Sequence, residues 1–360
     1  MDVEEKVEII KNSVQELVSE EELKKLFETN DHPIAYDGFE PSGLAHLPFG
    51  VYRPLLLKNI IKTGVKFKLL LADSFAWINN KMGGNLDNIR TVGNYFIEVW
   101  KAGGIGDKVN FVWHKENFDD PEYWRKVLLI GKNQTLNRTL RAMQIAGRKE
   151  SDIKEIAELF YPSMQTADVF QLNVDICQLG MDQRRASMLA REIADKLKWK
   201  KPVAAHHYLI LGLDGISSAS ASDENKIEAE IDYKMSKSKP ETSVFVHDSE
   251  EDIKRKITKA FCPPKIVNGN PIMQYSKELV FRGFKSMKIE RKKEFGGDVE
   301  YFNYASLEKD YIEGKIHPLD LKKSVSFYLN ELIKPVREHF EKDSKAKELY
   351  EHVKQLKITR

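Results

Sequence analysis

The segment from Pro33 to Asp73 limits what this chain can fold into more than any other stretch. Pro33-Ile34-Ala35-Tyr36 reads as a strand that runs into Asp37-Gly38-Phe39-Glu40-Pro41-Ser42-Gly43, a loop punctuated by glycine and proline. Helical spacing follows from about His46 to Lys62, and Val65 to Ala72 is a near-continuous apolar run that ends at Asp73. An apolar run without alternation suits a strand covered on both faces, the habit of parallel sheets. Strand, glycine loop, helix and buried strand make a βαβ unit with a right-handed crossover. The class is therefore α/β, with a Rossmann-like parallel sheet. The loop after Tyr36 then lies at the carboxyl edge of that sheet, where ligands of such sheets bind.

A second stretch, Tyr161 to Arg191, belongs at the same edge. Pro162 suits a first helical position, and Tyr161, Gln165 and Asp168 at i, i+4 and i+7 share one helical face. Val174-Asp175-Ile176-Cys177-Gln178-Leu179 reads as a strand, Gly180 breaks it, and an amphipathic helix carrying Met188, Leu189, Ile193 and Leu197 follows. Asp182 and Gln183 thus stand where a strand hands over to a helix, with unpaired backbone N–H groups nearby.

Composition removes several alternatives. The chain has 360 residues, room for roughly two domains, and 41% hydrophobic with 31% charged residues is ordinary for a soluble globular protein. A net charge of +2 means that a polyanionic partner must be met by local basic patches. Cys177 and Cys262 have no Cys-x-x-Cys companion, which argues against a zinc site or a disulfide framework and for a reducing compartment. The acidic N-terminal segment lacks the features of a signal peptide, and no apolar run approaches the roughly 20 residues needed to span a bilayer. A cytoplasmic location is expected.

Residues 81–150 read mostly as a helical insertion, interrupted by a strand at Phe111-Val112-Trp113, and such an insertion suits contact with a second copy of the chain. The polar stretch SSASASDENKIEAE reads as a loop delivering Lys234-Met235-Ser236-Lys237-Ser238. From Asp248 the pattern is helical almost throughout, which divides the chain into a catalytic unit at 1–247 and a helical unit at 248–360. Lys277, Arg282, Lys285, Lys288, Arg291, Lys292 and Lys293 form a basic stretch suited to phosphates, and the charged tail after Asp343 reads as a frayed helix.

Three segments together carry a family resemblance: the glycine loop with Glu40-Pro41-Ser42-Gly43-Leu44-Ala45-His46-Leu47, the YPxMQxxD helix with GMDQR, and the literal KMSKS at Lys234 to Ser238. In that order they resemble class I aminoacyl-tRNA synthetases, and in detail the tyrosyl-tRNA synthetases of archaea and eukaryotes. The similarity runs from about Glu20 to Phe340 and includes Cys262-Pro263 and His317-Pro318-Leu319-Asp320. The resemblance implies activation of L-tyrosine with ATP and Mg²⁺, transfer to the 3' end of tRNA(Tyr), a homodimer, a helical anticodon-binding unit and no protein-bound metal. It places Tyr36 and Asp168 on the substrate phenol and Tyr161, Gln165 and Gln183 on its ammonium. Glu40, Gly43, His46, Asp182 and Lys237 fall on ATP, with His46, Lys234 and Lys237 as the catalytic groups. Arg184 falls near the acceptor stem, and Phe295, His317 and Asp320 near the first anticodon base, single-stranded bases being read by stacking and hydrogen bonds.

Departures accompany the likeness. The first signature is usually His-Ile-Gly-His, and here it is His46-Leu47-Pro48-Phe49. The nearest alternatives are a tryptophanyl-tRNA synthetase, which shares the fold and ATP motifs, and a synthetase-like RNA-binding protein impaired in catalysis.

Overall fold

The computed structural model describes residues 1–143, 153–217 and 226–356. Six strands form the main sheet: β1 (Glu16–Val18), β2 (Ile34–Phe39), β3 (Lys66–Leu71), β4 (Asn110–Trp113), β5 (Ile176–Cys177) and β6 (Val203–His206). Their spatial order is β1-β6-β5-β2-β3-β4, parallel throughout except for β1 on β6. The chain lays down β2, β3 and β4 outward, then returns to put β5 on the other side of β2. That reversal makes a switch point between β2 and β5, at whose carboxyl end a crevice must open.

The apolar run of β3 is explained by what covers it. Leu69 and Leu71 join the main core, whereas Leu70 joins a smaller cluster with Tyr36, Val112 and Val169 on the opposite face. Successive residues of a strand point to opposite faces, so both faces are sealed.

Other boundaries differ from the sequence reading. The stretch Val174–Leu179 contributes only Ile176–Cys177 as regular strand, because the Asp175 carboxylate takes the Ile34 N–H at 2.7 Å in place of a ladder bond. The helix expected from His46 to Lys62 is composite: a wide turn at Pro48–Tyr52, an α-helix at Arg53–Ile60 and a tight turn at Ile61–Thr63. Pro48 and Pro54 each lack an N–H, and the wide turn lies between them. Strands β1 and β6 had no sequence signal, being three and four residues long without alternation.

The insertion is helical as expected, with helices at Leu86–Ala102, Pro121–Lys132 and Leu136–Ala142 and β4 among them. Its last residues, 144–150, and residues 218–225 of the polar loop lie outside the described residues.

The C-terminal part is mostly helical, as expected, with one addition: β7 (Met287–Ile289) and β8 (Val299–Tyr301) form an antiparallel hairpin. Met287 and Ile289 are buried and Lys288 is exposed, the period-two pattern of a half-buried strand. Over its described residues, up to Leu356, the tail is not the frayed helix expected, and residues 357–360 lie outside the described residues. Ser344–Gln355 is a helix whose N-cap, Asp343, accepts the Lys345 and Ala346 N–H groups at 2.9 Å, and Ala346 and Val353 are buried. One apolar cluster, running from Val7 to Val353, joins these helices to the sheet. Among the described residues no helix is long and apolar enough to cross a membrane.

Candidate active site

At the switch point a cavity of about 350 Å³ opens above the sheet. Its wall combines the loop after β2, the Tyr161–Gln171 helix, the turn after β5 and the Lys234–Ser238 segment. Tyr36, Glu40, His46, Tyr161, Gln165, Asp168, Asp182, Gln183, Lys234 and Lys237 all line it, so residues distant in sequence meet there. Gly43 does not; its φ of 104° lets the loop turn back toward the sheet, a conformation that side chains disfavour.

One end of the cavity carries two unsatisfied polar atoms. Tyr36 and Asp168 are each 1% exposed, and the Tyr36 hydroxyl and Asp168 Oδ2 are buried without a hydrogen-bond partner. A buried polar atom left unpaired costs free energy, so a group supplied from outside would be bound there. Burial, with the Cys177 and Asp168 side chains next, pushes Tyr36 well above the ordinary phenol range and keeps it a donor. The other carboxylate oxygen is occupied: Asn117 Nδ2 donates to Asp168 Oδ1 at 2.9 Å and His114 Nε2 lies 3.0 Å from it. Sequence reasoning missed His114 and Asn117. The available signal was their place just past β4, whose carboxyl end shares the crevice edge.

In the middle of the cavity, acceptors converge. Tyr161 donates to Glu40 Oε1 at 2.8 Å and Asn79 donates to the same oxygen at 2.6 Å. Gln165 Nε2 donates to Gln183 Oε1 at 3.1 Å, while Gln165 Oε1 is buried without a partner. That arrangement suits an ammonium group, which brings three donors and no acceptor.

The far end is basic. Lys234 is paired with Asp182, and Lys237 sits over the faces of Phe96 and Phe49, at 4.4 and 5.5 Å from the ring centroids. Phe49, at the position of the signature's second histidine, is buried against Phe39, Phe96 and Trp100. The departure from the usual motif thus exchanges a polar group for part of an aromatic seat under a lysine. Burial, with Lys81 next, lowers Lys237 to about 7. Burial and then Lys237 hold His46 well below its ordinary value, so it is neutral. Beneath this end lies a pair that the sequence did not reveal: Arg53 Nε is 2.8 Å from Asp37 Oδ2, and burial raises Asp37 to about 7 against the pull of Arg53.

The remaining predicted residues lie outside the cavity. Arg184 is engaged by Glu16 at 2.8 Å, which His206 also contacts. Phe295 is 64% exposed, His317 caps the Pro318–Lys342 helix by accepting the Leu319 N–H, and Asp320 is in that helix's first turn. Arg291 ties the hairpin loop to this turn, donating to the Gly297 and Lys315 carbonyls at 2.8 Å. Among the described residues no three His, Cys, Asp or Glu side chains gather as a metal site would require.

Comparison with known proteins gives the family. The family model for tRNA synthetases class I (W and Y) matches residues 28–233 and 229–334. A tyrosine–tRNA ligase of Thermococcus kodakarensis is 44% identical, covering 100% of both chains. The cytoplasmic tyrosine–tRNA ligase 1 of Arabidopsis thaliana is 42% identical over 100% of this chain and 90% of its own. The tyrosyl-tRNA synthetase of Pyrococcus horikoshii, solved with L-tyrosine, superposes with a TM-score of 0.90 at 38% identity, covering 98% of this chain and 100% of its own. A tryptophanyl-tRNA synthetase of Aeropyrum pernix reaches a TM-score of 0.67 at 17% identity over 95% of this chain and 85% of its own, which speaks for the fold alone. By sequence family, full-length relatives and fold, the chain belongs to the class I tRNA synthetases, among the tyrosyl-tRNA synthetases.

Proposed function

We propose that the protein is a tyrosine–tRNA ligase. The observation that carries this reading is the pair of unpartnered polar atoms, Tyr36 hydroxyl and Asp168 Oδ2, at the closed end of the cavity. A substrate phenol satisfies both, donating to the carboxylate and accepting from Tyr36. Phenylalanine leaves both unpaired, and a site built for a hydroxyl discriminates strongly on that ground; tyrosine-specific enzymes of this class are themselves the reference case. Gln165 Oε1, with Tyr161 and Gln183 beside it, receives the ammonium.

The substrate carboxylate is the nucleophile. Its oxygen forms the bond to the α-phosphorus of ATP, the bond to the β-phosphate oxygen breaks, and pyrophosphate leaves with that electron pair. No protein side chain is acylated, so the chain's task is to orient the reactants and neutralise phosphate charge. Lys237 and Lys234 supply cations, and neutral His46 supplies an N–H. Lys234 is paired with Asp182 through Oδ2, and the carboxylate's remaining acceptor sites receive the ribose hydroxyls. Magnesium enters with ATP, held by phosphate oxygens and water. A hydroxyl of the terminal tRNA adenosine then attacks the tyrosyl carbonyl and AMP departs.

The helical unit from about residue 248 reads the anticodon through Phe295, His317 and Asp320, with Arg184 freed from Glu16 near the acceptor stem. A homodimer through the insertion at 81–150 and a cytoplasmic location complete the reading.

Tyrosine-dependent exchange of labelled pyrophosphate into ATP tests it. Exchange with tyrosine and none with tryptophan is expected, and Asp168→Ala removes the preference for tyrosine over phenylalanine. Tryptophan-dependent exchange would establish the related specificity, and no exchange with intact tRNA binding would establish a binding protein.

A further inference from the structure

The Asp168 carboxylate at the end of the cavity is held from behind by two side chains, one of which is steadied by a third. Asp168 Oδ1 receives Asn117 Nδ2 at 2.9 Å and stands 3.0 Å from His114 Nε2. His114 Nε2 is also 2.9 Å from the Tyr123 hydroxyl oxygen, and that hydroxyl donates to the Met164 carbonyl at 3.0 Å, one turn before Asp168 on the same helix. The Tyr123 hydroxyl donates to the Met164 carbonyl and the carboxylate can only accept, so the Nε2–H tautomer of His114 is the one that satisfies both neighbouring oxygens. His114 is fully buried, its ring edge-on or tilted to Phe75, Tyr123 and Phe118, so it cannot swing away.

The consequence is directional. With Oδ1 occupied, Oδ2 is the only carboxylate oxygen left to an incoming hydroxyl, and the carboxylate plane cannot rotate to spoil the approach. We infer that His114 and Asn117 are positioning residues that set the selection of a para-hydroxylated aromatic amino acid, although neither lines the cavity. This rests on the reading of the cavity as a tyrosine site. Without them the carboxylate is free to turn inward, its donors lost, and a hydroxyl on the substrate gains little.

The test compares wild type with His114→Phe, which keeps a ring and removes the N–H, and with His114→Gln, whose amide can return an N–H near the same place. In pyrophosphate exchange His114→Phe is expected to lower kcat/KM for tyrosine by about 10- to 100-fold, the range for one lost hydrogen bond to a charged group. The same quantity for phenylalanine and the KM for ATP stay within about twofold, and His114→Gln recovers most of the selectivity. An equal loss for tyrosine and phenylalanine, or no loss for either, overturns the inference, because a merely structural histidine would move both together or neither. Should His114→Phe fail to fold, Asn117→Ala removes the other donor, with the same pattern expected and the same patterns overturning it. Thermal unfolding separates this inference from the ligase reading. Tyrosine should raise the Tm of the wild type more than phenylalanine does, and His114→Phe should abolish that difference, whether or not exchange is detected; a difference that survives overturns the inference.

Discussion

At the residue scale the site turns on a lysine whose charge is conditional. Lys237 is half-buried on two aromatic faces, and burial lowers it to about 7. Below that pH the unliganded protein presents an ammonium to incoming phosphates; above it the amine is neutral and attracts them less. The kcat/KM for ATP should therefore fall as pH rises through about 7, whereas kcat changes less, since bound phosphate holds the proton on the lysine. Lys237→Ala should flatten that profile and slow adenylate formation by about 10- to 1000-fold with tyrosine affinity nearly intact, as for a contact made mainly in the transition state. Stopped-flow measurement of adenylate formation across pH checks both. A steep profile surviving in Lys237→Ala would move the titration to another group. Of the residues behind this chemistry, those within contiguous motifs were legible: Lys237 in KMSKS, and Tyr161, Gln165 and Asp168 at helical spacing. His114, Asn79 and Arg53 were not, because each acts through a partner on another element of the fold, Asp168, Glu40 and Asp37 respectively. No local pattern marks such a pair.

At the element scale, periodicity exposed what was long and hid what was short. The βαβ unit and the Arg184–Leu197 helix were readable because a buried face repeats over many residues. Strands β1 and β6 and the β7–β8 hairpin were not, since three or four residues do not establish a period. The wide turn Pro48–Tyr52 shows what such readings leave out. A Cβ on Gly50 would stand 2.4 Å from Val246 Cγ1 and 3.0 Å from Val99 Cγ1, both on fully buried β-branched side chains. Neither valine can move aside without leaving its rotamer, so the turn itself must shift and carry Phe49, beneath Lys237, with it. Gly50→Ala should cost about 1–3 kcal/mol and lower the Tm measured by calorimetry by several degrees, with a raised KM for ATP. An unchanged Tm would mean that the turn has slack that this packing denies it.

Across the whole molecule, the last helix reaches the basic end of the cavity, the end proposed for nucleotide, through a chain of contacts. Tyr350, on Ser344–Gln355, stacks on His247 at 3.8 Å between centroids, and Phe340, at the end of the long Pro318–Lys342 helix, packs edge-on against the same ring. Burial, with Arg337 and Lys354 next, lowers His247 to about 3, so its ring is neutral. Its Nε2 is hydrogen-bonded to the Tyr95 hydroxyl at 2.9 Å, and the Tyr95 oxygen accepts the Ala45 N–H at 3.1 Å, next to His46. The segment holding His247 also pairs with the signature loop, Leu47 N–H to Val244 O at 2.8 Å and Val246 N–H to Ala45 O at 3.1 Å. One aromatic cluster therefore braces both the loop that carries His46 and the chain leading back to Lys237. Tyr350→Ala, or a chain ending at Lys342, should loosen that brace while leaving Tyr36 and Asp168 untouched at the other end of the cavity. The KM for ATP is expected to rise by about 3- to 30-fold while the dissociation constant for tyrosine, measured by calorimetric titration, stays within about twofold, a split that general destabilisation would not produce. Equal weakening of ATP and tyrosine would instead make the last helix a contributor to global stability alone.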